Sequence, residues 1–154
     1  MSIDEYHAVK FTIQRKEFFS IWVATESGSD FFLKDGARVA FFSGREALLD
    51  FCKSRGIRIK SETEHDFDFS GGLSCDEVLG RWDIISDLAG TTGTAFSGDM
   101  EDALPLYRKL LCGCDLSAPS TTDPKQGQTL TPEEKQKLDS VIAEMRGILK
   151  TLVS

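Results

Sequence analysis

The chain has 154 residues, of which 40% are hydrophobic and 28% are charged, and this composition excludes a disordered or fibrous protein. Its net charge of −7 argues against nucleic acid or an anionic membrane as the main ligand, because both would repel it. A basic protein partner would be attracted.

The start of the chain and its cysteines indicate the compartment. Asp4 and Glu5 stand where a secretory signal would have basic residues, and no apolar run reaches the roughly 18 residues of a membrane span. We therefore expect a cytoplasmic protein whose four cysteines are free thiols. Cys112 and Cys114 lack a second closely spaced Cys or His pair, so no metal or other cofactor is expected.

Four strands are predicted in the first third of the chain. Residues 7–14 alternate apolar and polar side chains, and residues 17–25 are rich in aromatic and β-branched residues, so the two segments form a predicted hairpin. Residues 30–34 and 38–42 flank Asp35-Gly36, a dipeptide that favours a tight turn. This order predicts an antiparallel β-meander.

Helices alternate with one more strand in the middle of the chain. Capping boxes at residues 43–46 and 74–77 predict two helix starts, with the ends near Gly56 and Gly90. A short third helix is predicted over residues 102–111. With a fifth strand ending in residues 61–69, the expected fold is an α+β core domain over residues 1–116, in which an antiparallel β-meander of four to five strands packs against three to four helices.

The last third of the chain divides into a linker and a helix. Residues 117–130 are predicted to be a flexible linker, since two of the chain's four prolines and no large apolar side chain lie in residues 117–129. Residues 131–154 begin with Thr131, Pro132 and Glu134, which favour a helix start, and continue with an amphipathic stripe. The stripe is expected to dock on the core domain or to form a homodimer or partner contact.

Sequence motifs for catalysis are missing from the chain. It contains neither the phosphate-binding glycine loops nor the serine-hydrolase and zinc-protease signatures. Pairings of its two histidines with its four cysteines are expected by chance. We therefore expect a binding protein and not an enzyme.

An acidic row is the most informative segment. In SETEHDFDF, residues 61–69, a strand would place Glu62, Glu64, Asp66 and Asp68 on one face, with a spacing close to that of phosphates along an extended nucleic-acid strand. Three interpretations remain open: a charged edge strand that prevents aggregation, a docking surface for a basic protein, and a divalent-metal site. Asp99, Glu101 and Asp102 would extend the surface if the fold brings them near.

The aromatic strands, the acidic DFDF segment and the helical segment DEVLGRWDIISDLA, between Val9 and Leu111, resemble the immunity proteins of bacterial contact-dependent growth inhibition and related polymorphic-toxin systems. The resemblance implies a small cytosolic protein that binds the C-terminal toxin domain of an incoming effector and blocks its active site. A nuclease toxin would suit the acidic charge, because its substrate cleft must be basic. The interface is then expected first at Glu62, Glu64, Asp66 and Asp68, and second at Asp99, Glu101 and Asp102. The alternatives are a metal-binding or enzymatic protein that uses the same carboxylates, and an adaptor that binds through the C-terminal helix.

Overall fold

A computed structural model describes residues 4–114, 116 and 129–154. Six strands and four helices occur in these residues: β1 (Glu5–Ile13), β2 (Lys16–Ala24), β3 (Phe31–Phe32), β4 (Lys34–Asp35), β5 (Arg38–Val39), α1 (Arg45–Arg55), β6 (Ile59–Asp66), α2 (Cys75–Thr92), α3 (Leu104–Cys112) and α4 (Pro132–Val153). Two short 3-10 turns, Ser97–Asp99 and Glu101–Ala103, connect α2 to α3. The expected α+β fold class is confirmed.

The main sheet has the strand order β3-β2-β1-β6, and β4 and β5 form a separate two-stranded hairpin. β1 and β2 pair antiparallel as predicted, whereas β6 pairs parallel to β1 along its other side. The antiparallel meander is therefore incomplete. A parallel neighbour requires a crossover connection, and the segment that contains α1 supplies it between β2 and β6.

Helices cover both faces of the sheet. On one face Val9, Phe11 and Ile13 pack in a large core with the buried sides of α2, α3 and α4. On the other face Ala8, Phe19 and Ile21 form a smaller core with Leu48 and Cys52 of α1. The period-2 alternation along β1 thus sends its side chains into two different cores.

Of the three helix starts predicted from capping residues, two have the expected side-chain cap and one does not. The capping box at Thr131 and Glu134 is present, and the Ser74 side chain accepts a hydrogen bond from the Glu77 amide. The capping box predicted at residues 43–46 is wrong, because α1 takes Gly44 as its N-cap and has no side-chain cap. Gly56 ends α1 in the left-handed conformation, as predicted.

The apolar stripe of α4 is buried in the large core. Leu138, Val141, Met145 and Leu149 are each fully buried beside side chains of α2. This chain's own residues therefore cover the stripe that a helix–helix homodimer would have used. Most of the predicted linker, residues 117–128, lies outside the described residues. No helix in the described part of the chain is both long and apolar enough to cross a membrane.

Candidate functional site

The acidic row lies at an edge of the main sheet. β6 pairs with β1 on one side and, within the described residues, with no strand on the other. The strand ends at Asp66, so Asp68 lies beyond it in the following turn. Glu62, Glu64 and Asp66 therefore lie in the strand as expected for a row, with Asp66 as its last residue, and Asp68 does not.

Both strand glutamates already have cationic neighbours. Glu62 accepts a hydrogen bond from Arg45 at the start of α1, at 2.7 Å. Glu64 Oε1 lies 3.5 Å from Lys10 Nζ, and the same ammonium lies 3.0 Å from Glu17 Oε1. The negative charge of this part of the row is partly balanced within the chain.

Asp66 and Asp68 stabilise turns. Asp66 accepts from the amides of Asp68 and Ser70, at 2.9 and 3.0 Å, and from the Ser70 hydroxyl. Partial burial opposes ionisation of Asp66, but these hydrogen bonds, with the Ser70 hydroxyl first, lower its pKa. Asp68 accepts from the amides of Gln14 and Arg15, at 2.7 and 3.0 Å.

The hydrogen bonds to Asp68 have a structural reason. Gln14 and Arg15 form the tight turn between β1 and β2 with φ angles of 52° and 63°, a region that favours glycine. The carboxylate satisfies both turn amides, and Arg146 of α4 lies 3.5 Å from it. Asp68 thus joins three segments of the fold, which leaves it a smaller role in contacting a partner.

The second predicted acidic set lies between α2 and α3. Asp99 ends the first 3-10 turn and accepts from the Ser86 hydroxyl at 2.5 Å. Asp102 Oδ2 is 3.5 Å from Lys137 Nζ of α4, whereas Glu101 is exposed. Asp99 and Glu101 line a hollow of about 280 Å3 with Trp82 and Tyr107. Ser86 belongs to this hollow and also to a larger groove beside it.

That larger groove, here called the α2 groove, has a volume of about 560 Å3 and runs between α2 and the strands β1, β2 and β6. Its lining combines rings, carboxylates and small polar side chains: His7, Trp22, Asp30, Ser61, Thr63, His65, Gly80, Asp83, Ile84, Ser86 and Asp87. The polar face of β6 and the acidic side of α2 therefore meet in one concave surface. Glu62 and Glu64 alternate with the β6 residues of this lining and lie on the opposite face of the sheet, toward α1, whereas Asp99 and Glu101 line the adjoining hollow.

Asp83 and Asp87 are the residues that the sequence analysis missed. They stand four positions apart on α2, and each receives a hydrogen bond from an aromatic residue: Tyr107 OH donates to Asp83 at 2.7 Å and Trp22 Nε1 donates to Asp87 at 2.8 Å. The one available signal was the acidic i, i+4 pair beside the apolar stripe of this helix.

The carboxylates of the α2 groove repel one another. Burial first, and then the nearby carboxylates of Asp30, Asp83 and Asp99, raise the pKa of Asp87 to about 6, against the hydrogen bond from Trp22. Burial also raises the pKa of Asp83. Within the described residues, no lysine, arginine or histidine forms an ion pair with any of these four aspartates. Asp30, Asp83 and Asp87 line the groove and Asp99 lies in the adjoining hollow, so this region concentrates negative charge.

The histidines of the groove differ in role. Burial, with a smaller effect of Arg81, lowers the pKa of His65 to about 4, so this ring is neutral at pH 7. His7 Nδ1 lies 2.6 Å from Ser61 Oγ, and His7 Nε2 lies 3.4 Å from Glu5 Oε2. The His7 ring also contacts the Trp22 ring, with 5.4 Å between the centroids.

The described side chains contain no group of three or more His, Cys, Asp or Glu arranged to hold a metal ion. The metal-binding interpretation of the acidic row thus has no geometric support there.

Comparisons of the chain with protein families, with curated proteins and with solved structures find no match. The resemblance to immunity proteins rests on the residue patterns alone.

Proposed function

We propose that the chain is an immunity protein that binds and neutralises a basic toxin domain, a nuclease of a contact-dependent or related system, and that the α2 groove is the centre of its interface. The single observation that carries this proposal is the cluster of Asp30, Asp83, Asp87 and Asp99, whose carboxylates form no ion pair among the described residues, and in which burial first and then the other three carboxylates raise the pKa of Asp87 to about 6.

A cationic partner would relieve this repulsion. A lysine or arginine placed in the groove would neutralise Asp87 electrostatically and return its pKa toward the usual range, so part of the repulsion would become binding free energy. Arginine also stacks on aromatic rings, and Trp22 and His7 offer such rings in the same groove. The active site of a nuclease presents basic side chains because it must hold phosphates.

The residues predicted first for the interface take a supporting position in this proposal. Glu62 and Glu64 lie on the edge strand but on the opposite face of the sheet from the groove, so their charge adds only to the overall negative potential that attracts a basic protein. Their ion pairs with Arg45 and Lys10 reduce that contribution. Asp66 and Asp68 act through the turns that they stabilise.

Co-expression with the C-terminal domain of a large secreted protein encoded beside this chain tests the function. Restored growth supports it, and unrelieved toxicity with every such neighbouring domain contradicts it.

Calorimetry on the pair of proteins then tests whether the α2 groove is the interface. Asp83→Asn with Asp87→Asn should weaken binding by a factor on the order of 10–100. The matched control, Glu46→Gln with Asp50→Asn on the exposed side of α1, changes the net charge equally and should weaken it less than about threefold. Equal effects would remove the groove from the proposal.

A second candidate, hydrolysis by a serine nucleophile, is favoured by one observation: Ser61, His7 and Glu5 form a continuous line of polar contacts at 2.6 and 3.4 Å. A histidine between a serine and a carboxylate can accept the serine proton. Labelling of Ser61 by a fluorophosphonate probe, lost in His7→Ala, would support this activity. An unlabelled wild-type protein would exclude it.

A further inference from the structure

Two cysteines lie in contact where the start of α2 meets the chain after α3. Cys75 Sγ and Cys114 Sγ are 3.4 Å apart, although 39 positions separate the residues in the chain. The Cys114 amide donates to Cys75 Sγ at 3.2 Å, and the Cys75 thiol lies 3.1 Å from the Cys114 carbonyl oxygen. The proposed partner-binding function uses neither thiol.

The local structure lets this pair close. A disulfide has sulfur atoms about 2.05 Å apart, so closure requires an approach of roughly 1.4 Å. Cys75 is fixed as the first residue of α2, whereas Cys114 follows the last residue of α3 and lies outside any helix or strand. Gly113, with a φ of 88°, separates Cys114 from α3 and can absorb a small backbone rotation.

The other two thiols differ from this pair. Cys52 is buried in the small core under α1, and Cys112 is exposed at the end of α3. Burial protects Cys52 from oxidants, whereas Cys112 is accessible to them. The two thiols therefore serve as internal controls that separate the effect of contact between two cysteines from the effect of exposure.

We propose that Cys75 and Cys114 are a modification site, a dithiol that a low-molecular-weight disulfide such as oxidised glutathione converts into an intramolecular disulfide. The proposal is independent of the toxin-binding function. The Cys75 sulfur, after loss of its proton, attacks one sulfur of oxidised glutathione and releases one glutathione as thiolate. The Cys114 sulfur, deprotonated in turn, attacks the Cys75 sulfur of the mixed disulfide and expels the second glutathione. The two thiol protons end on the two released glutathione molecules, and the oxidant gains the two electrons that the cysteines lose.

The second step should limit the rate. Burial, and then the hydrogen bond with Cys75, raise the pKa of Cys114 to about 12, and of the charged groups nearby, Lys109 opposes this rise while Glu134 adds to it. Lys109 and Glu134 form an ion pair at 2.7 Å, so their effects largely offset each other. Closure should therefore accelerate about tenfold per pH unit between pH 7 and 9, as the thiolate fraction of Cys114 rises.

Closure would join the start of α2 to the end of α3. These two helices also carry Trp82, Asp83 and Tyr107, which line the hollow next to the α2 groove. The disulfide would thus fix the geometry of one wall of the acidic surface.

The test is incubation of the folded, full-length protein with excess oxidised glutathione, followed by non-reducing mass spectrometry and peptide mapping. We expect a mass lower by two hydrogen atoms, a cross-linked peptide joining Cys75 to Cys114, and a melting temperature higher by on the order of 5–10 °C. Cys112→Ser should behave as the wild type, and Cys75→Ser and Cys114→Ser should not cross-link.

The peptide map of the oxidised wild-type protein tests the proposal even if a cysteine variant fails to fold. A cross-link through Cys112, a glutathione adduct on Cys75 that never closes, or a fully reduced protein would each overturn it. A melting temperature that falls on oxidation would also overturn it, because a disulfide compatible with the folded geometry cannot favour the unfolded chain.

Discussion

Replacing Asp87 by asparagine should stabilise the protein, and the effect should depend on pH. The pKa of Asp87 is raised from 3.8 to about 6 in the folded chain, mainly by burial. Between these two values the folded state binds more protons than the unfolded state, so its stability falls as the pH rises through this window. Above pH 6 the charged Asp87 carboxylate lowers the free energy of unfolding by its full amount. Asparagine carries no charge and keeps an oxygen that can accept from Trp22 Nε1.

The magnitude follows from the same two pKa values. A difference of about two units corresponds to roughly 3 kcal/mol at pH 7.5, and solvent screening of this half-buried side chain reduces it to about 1 kcal/mol. For a chain of this length that is a rise in melting temperature of about 2–4 °C. At pH 4.0 the linkage leaves about one fifth of the effect.

Differential scanning calorimetry of the wild type and Asp87→Asn at both pH values measures this. Asp50→Asn is the matched control, because Asp50 is exposed on α1, and it should change the stability by less than about 0.5 kcal/mol at either pH. A stabilisation equal at pH 7.5 and pH 4.0 would refute the electrostatic reasoning, and a destabilisation at pH 7.5 would show that the hydrogen bond to Trp22 outweighs the charge. If the proposed function holds, the same variant binds its partner more weakly while it folds more stably.

Three further predictions concern stability and use unfolding in denaturant. Gly98→Ala should cost about 1–3 kcal/mol, because a β-carbon there would lie 2.5 Å from Phe96 Cζ and 2.7 Å from Trp82 Nε1, whereas Gly90→Ala, in open space on α2, should stabilise by about 0.5–1 kcal/mol. Asp68→Ala should cost about 1–3 kcal/mol through the two turn amides that it leaves without a partner, and Glu64→Ala, which loses an exposed ion pair, less than about 1 kcal/mol. Met145→Ala should cost about 2–5 kcal/mol because the side chain is fully buried, and Leu111→Ala, 61% exposed, should cost little. Equal costs within any of these pairs would contradict the packing or hydrogen bonding assigned to it.

Local signals predicted the elements of the fold but not the partner strand of β6. Alternation marked β1 and β2, and Thr131 with Glu134 marked the start of α4, because these patterns depend on neighbours a few residues away. The parallel pairing of β6 with β1 depends on where the crossover through α1 returns the chain, and no short segment encodes that.

The candidate site was predictable only in part for a related reason. Glu62 and Glu64 could be assigned to a strand, but the partners of Asp68 lie 53 and 54 positions away, so its role in the turn was hidden. Asp83 and Asp87 look like an ordinary solvated helix face. Their hydrogen-bond partners Tyr107 and Trp22 are distant in sequence, and only the folded chain brings them to these carboxylates.

The tie between Asp68 and the turn at Gln14 and Arg15 has a consequence for the order of folding. The β1–β2 hairpin needs a turn that is unfavourable for non-glycine residues, and the carboxylate that satisfies it arrives only with the chain segment after β6. During synthesis the hairpin would emerge from the ribosome more than 50 residues before that segment. The central strand β1 would therefore stay unpaired on one side until β6 is made. Folding should be dominated by this long-range closure, which makes it slower than the local helix content alone suggests.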